Sequence, residues 1–122
     1  MTKEEILNRE KVWEALSNFY LDTELDDSDY TYITKILQQS SYSLEELKDI
    51  DLFEVFPVLQ INLLNVAGEW AGFNEEWLNE KCLINYNRRN KRFFRYVTMA
   101  KNKLHYWMRE DHWAEIESRW EL

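Results

Sequence analysis

Glu54 to Leu78, EVFPVLQINLLNVAGEWAGFNEEWL, contain the chain's only proline and both of its glycines. Everything on either side is free of these two residues and reads as helix. Pro57 withholds a backbone donor and biases Phe56 away from the α region, which predicts a helix boundary or a first helical turn there. Gly68 and Gly72 bracket Glu69, Trp70 and Ala71, a spacing that predicts a tight connection anchored by Trp70. Between these marks, the run from Val58 to Val66 is apolar enough to be buried on more than one side, and it is predicted as the central element.

Working back toward the N-terminus, Thr2 and Glu5 have capping-box spacing, and Ile6, Val12, Trp13, Leu16, Phe19 and Tyr20 follow at three- and four-residue steps. A first helix is predicted, ending between Tyr20 and Thr23. Asp26, Asp27 or Ser28 is suited to cap a second helix, whose buried face is Tyr30, Ile33, Ile36 and Leu37. Ser43 and Glu46 form another capping box ahead of Leu44, Leu47, Ile50 and Phe53.

Working forward, Asn74 is a good cap for a helix with Trp77, Leu78, Cys82 and Leu83 on its apolar face. Asn85, Asn87 and Asn90 predict a break beside Arg88 and Arg89. From Arg92 onward, Phe93, Phe94, Tyr96, Val97, Ala100, Leu104 and Trp107 recur at helical spacing, and these aromatics are expected in the core. Asp111 is expected to cap a last short helix containing Trp113, Ile116 and Trp120. No stretch joins period-two alternation to hairpin-turn signals, and no internal repeat is evident. The chain of 122 residues, with 45% hydrophobic and 16% aromatic content, has the size and apolar content of one domain. The expectation is therefore a single all-α domain over residues 1–122, with six or seven helices around a central buried segment.

EVFPVL at 54–59, NLL at 62–64, VAGEWAGF at 66–73 and EEWL at 75–78 resemble a family of short, uncharacterised, single-domain bacterial proteins, as do Val12-Trp13, Leu16-Ser17, LDTEL at 21–25 and YSLEE at 42–46. The resemblance covers most of the first 78 residues. It implies a bacterial cytosolic protein, carries no catalytic residues across, and leaves room for an immunity role in a toxin system.

The residues themselves name no reaction. His105 and His112 lie seven apart, and His112 with Glu115 is too small a set for a metal site. Cys82 falls on an apolar face, where a thiol is packing material, and one cysteine fits a reducing compartment. Asp22, Glu24 and Asp26 imitate a calcium loop, but Asp27 stands where glycine is needed and Ile33 where glutamate is needed. No catalytic residue, metal or cofactor is assigned. No apolar run approaches the ~18 residues of a membrane span, and the chain is read as cytoplasmic.

Charge is the remaining clue. Residues 1–80 carry a net −13 and residues 81–122 a net +5, and residues 81–109 hold nine basic side chains and no acidic one. Asp22, Glu24, Asp26, Asp27 and Asp29 crowd one interhelical connection and are the expected surface for a cationic protein partner, with a solvated capping loop as the bland alternative. The leading expectation is a non-enzymatic immunity protein that neutralises a toxin, for instance a nuclease, by occluding its working surface. The alternative is an RNA-associated regulator using Arg88, Arg89, Lys91, Arg92 and Arg95, interleaved with the aromatics of segment 86–96. Nineteen aromatic residues also leave room for a helix-mediated homodimer.

Overall fold

The computed structural model describes residues 1–21, 24–64 and 74–120, the side chains of 61–64 excepted. Asp22 and the predicted connection through Gly68, Trp70 and Gly72 lie outside the described residues. Among those described, the regular structure is entirely helical. Helix α1 spans Lys3–Leu16 and runs into a 3₁₀ turn at Ser17–Tyr20; α2 spans Asp27–Gln39, α3 Leu44–Ile50 and α4 Phe56–Leu64. Helices α5 (Glu75–Arg88), α6 (Arg92–His105) and α7 (Trp107–Arg119) complete the order. A π-helical turn, Asp51–Val55, joins α3 to α4, so seven α-helices make six rods, and the all-α expectation holds.

The helix starts follow local chemistry. Thr2 and Glu5, Asp26 and Asp29, and Ser43 and Glu46 each form a reciprocal capping box, and Asn74 accepts from the Trp77 amide. Each cap satisfies amides that have no partner within their own helix, which is worth about 1 kcal/mol. Pro57 occupies the first turn of α4, and just before it the helix widens so that the Phe56 amide donates to the Asp51 carbonyl. Ser41, between α2 and α3, takes the left-handed conformation at φ 69°.

The predicted Val58–Val66 segment lies largely outside the described side chains; among the described residues the π turn is the hub, with Asp51, Phe53, Glu54, Val55 and Phe56 all buried. It packs against α1, α3, α4, α5 and α6, while α2 lies on α1 and α7. Around it, Val12, Leu16, Leu37, Leu47 and Ile116 are fully buried. The C-terminal expectation is corrected at the helix boundary. Asp111 caps nothing; it is exposed within α7, and the chain turns instead at Tyr106, whose carbonyl accepts from the Arg109 and Glu110 amides. The turn there positions Arg109 to point inward, which an Asp111 boundary would not do.

Candidate functional site

Two carboxylates stand three residues apart in the hub, both shut away from solvent. Glu54 Oε1 accepts from Arg9 Nε and Trp13 Nε1, each at 2.9 Å, and Oε2 accepts from Arg9 Nη2 and Arg89 Nη1, each at 2.6 Å. Asp51 Oδ1 accepts from the Tyr20 hydroxyl at 2.6 Å, and Oδ2 from Arg109 Nε at 3.0 Å and Trp113 Nε1 at 3.1 Å. An arginine and the tryptophan four positions after it share one helical face, so α1 and α7 each present an Arg–Trp pair to one carboxylate, bidentate from Arg9 and through Nε alone from Arg109.

Burial alone would discharge the two arginines, and the pairing reverses that tendency. Burial works against the Arg9 guanidinium, but its hydrogen bonds and attraction to Glu54 and Tyr42 outweigh it and raise its pKa. Burial likewise opposes the charge on Arg109, and Asp51 overcomes it. Tyr20 is held well above its ordinary pKa, first by burial and then by Asp51, so its hydroxyl stays a donor. Arg109 Nη1 is buried without a hydrogen-bond partner among the described residues, but the guanidinium carbon lies 4.6 Å from the Phe56 ring centroid, whose π face takes part of the role. This network fastens α1, α5 and α7 to the hub.

The opposite situation holds on α6. Its inward face is polar: Arg95 stacks 4.1 Å from the Phe53 centroid and donates to the Arg89 carbonyl, Thr98 is buried, and Asn102 accepts from Arg109 at 2.8 Å. Its outward face is apolar, with Phe93 80%, Tyr96 74%, Leu104 70% and, just beyond, Trp107 66% exposed. The expectation that these aromatics build the core is therefore corrected. Helical periodicity locates an apolar stripe but does not say which way it points. Here the buried carboxylates and their arginines claim the inward side.

The sequence-predicted site residues separate accordingly. In the acidic connection, Glu24, Asp26, Asp27 and Asp29 are all exposed. Asp26 and Asp29 are joined in the cap of α2, with Ser28 also donating to Asp26, and Asp27 pairs with Arg119. The Ser28 and Asp29 hydrogen bonds hold the Asp26 carboxyl below its usual pKa. In the basic segment, Arg89 is bound to Glu54, Arg95 lies on Phe53, and Arg88 lies 4.5 Å from the Phe94 centroid while donating to Asn85. Lys91 and Arg92 remain exposed and are joined by Lys101 and Lys103, so the outward basic surface is shifted along α6.

His112 Nδ1 lies 2.7 Å from the Tyr30 hydroxyl, and its ring stacks on Phe19 at 5.1 Å. Burial lowers its pKa, whereas Tyr30 is raised, again chiefly by burial. Glu115, its imagined co-ligand, pairs with Arg119. Cys82 is fully buried and its thiol is pushed up by burial, then by Glu54 and Asp51, as expected of packing material.

The burial of the two hub carboxylates escaped the sequence reading, yet a signal for it exists. Arg9-Glu10-Lys11-Val12-Trp13 and Arg109-Glu110-Asp111-His112-Trp113 are the same R-E-x-x-W motif at the two ends of the chain. Two cations each set beside an inward tryptophan announce buried anions. No helix among the described residues is long and apolar enough to cross a membrane. No curated protein and no solved structure matches the chain. A family model described as a domain of unknown function, DUF7079, matches residues 7–119, and the chain belongs to that family.

Proposed function

We propose that this member of the DUF7079 family is a non-enzymatic binding protein whose working surface is the outward face of α6, and that it serves in a bacterial cytoplasm as an immunity protein covering the working surface of a cognate toxin. One observation carries the reading: a helix whose large apolar side chains Phe93, Tyr96 and Leu104 stand in solvent, with Trp107 just beyond its end, while Arg95, Thr98 and Asn102 are turned to the core. Exposed apolar surface of this kind marks association, because covering it releases about 25 cal/mol per Å². The attachment of α6 supports the same reading, since Arg95 lies on Phe53 of the hub and donates to the Arg89 carbonyl, while Asn102 accepts from Arg109 of α7, so that its face is presented without being ordered on binding.

The acidic connection is the less favoured surface, because the Asp26, Asp27 and Asp29 carboxylates already serve a cap and an ion pair. The RNA-associated alternative draws on the same α6 face, where exposed Lys91, Arg92, Lys101 and Lys103 stand beside exposed aromatics.

The test is growth of cells expressing the neighbouring reading frame with this chain or with its Leu104→Asp variant. Wild type is expected to restore growth and the folded variant to lose that ability. A harmless neighbour, or equal protection by the folded variant, sinks the proposal.

A further inference from the structure

Taking α6 as the working surface, which rests on the reading above, we infer that its occupant is an acidic amphipathic helix of a partner protein. Phe93, Tyr96, Ala100 and Leu104 follow at steps of three, four and four, and so form one ridge along a helix of about 21 Å, with exposed Trp107 just past its end. Clefts flank it on both sides. One, of about 500 Å³, has Pro57, Phe94 and Val97 in its walls; the other, of about 490 Å³, has Leu52, Tyr96 and Met99. A ridge beside apolar grooves is the relief that receives the alternating ridges of another helix.

Charge selects the partner. On the helical wheel Arg92 and Lys103 lie to one side of the ridge and Lys101 to the other, all three exposed, and residues 81–109 contain no acidic side chain. Carboxylates flanking an apolar stripe would meet both edges. A second copy docked ridge to ridge would instead set these cations against their own kind. Extended polyanions, whether RNA or an anionic bilayer, reach past a single helix toward residues 1–80 and their net −13, whereas a single helix need meet only α6.

The full chain should be titrated with a synthetic peptide as long as α6 in which leucines at heptad spacing are flanked by glutamates, and with the same peptide carrying lysines. Poly(U) and phosphatidylglycerol-containing vesicles serve as parallel probes, with sedimentation for self-association. The glutamate peptide is expected to bind, the lysine peptide to fail, and binding to weaken about tenfold or more in Leu104→Asp and in Lys101→Glu/Lys103→Glu. These positions are exposed, and an unchanged helical spectrum checks that the variants fold. No glutamate-peptide binding, equal binding of both peptides, preference for poly(U) or vesicles, or a dimer abolished by Leu104→Asp overturns the inference. The growth assay fails independently: loss of protection in Leu104→Asp with no glutamate-peptide binding keeps the surface and discards this occupant.

Discussion

Glu54 accepts hydrogen bonds from two arginines and a tryptophan, and its side chain has no exposure to solvent. A neutral amide at that position cannot balance Arg9 and Arg89, whose side chains are only 10% and 20% exposed. Glu54→Gln is therefore expected to cost about 3 kcal/mol in urea unfolding, because it strands buried cations, and a loss near zero would show that the network does not hold α1 and α5 to the hub. A second prediction concerns His112. Burial depresses its folded-state pKa below the ordinary 6.5, with Asp111 and Asp51 opposing and Arg109 assisting. The unfolded chain thus takes up the proton first as pH falls. The stability His112 contributes is complete above about pH 6.5 and declines below it, toward the folded pKa. The thermal midpoint should fall across that window, and His112→Phe, which keeps the stacking on Phe19, should flatten that part of the slope; an unchanged slope would refute the assignment.

Helix α6 shows what periodicity reveals and what it leaves open. Its start after the break at Arg89, the caps of α1, α2 and α3, and the Asn74 start of α5 were legible because each depends on residues within a few positions. The direction of its stripe was not, because it depends on Asp51 and Glu54, some 40 residues earlier, and on arginines from other helices. Apolar spacing predicts a face, and the competition for the interior decides whether that face is buried. The difference is measurable. Leu37, fully buried in α2, should lose about 2 to 5 kcal/mol on replacement by alanine, whereas Leu104→Ala should change stability by no more than about 0.5 kcal/mol. A large loss at Leu104 would mean that the outward face of α6 is covered in solution.

The molecule as a whole is electrically two-sided, with a net −13 over residues 1–80 and +5 over residues 81–122. This asymmetry was legible from composition, but composition alone could not say which pole works, and the two poles call for partners of opposite sign. Three-dimensional placement supplies the missing weight: Asp26, Asp27 and Asp29 are engaged in a cap and an ion pair, while Lys101 and Lys103 are exposed beside an apolar ridge. The sign of a rate change can decide between them. Asp22→Lys/Glu24→Lys makes the chain less negative without touching α6, so association with an acidic partner should quicken at low salt, and the effect should fade as salt screens it. Lys101→Glu/Lys103→Glu should slow the same association and steepen its loss when Leu104 is also replaced. With the neighbouring toxin as partner and stopped-flow mixing as the measurement, slower association of the Asp22→Lys/Glu24→Lys chain would instead locate the encounter at the acidic connection and make the toxin surface cationic.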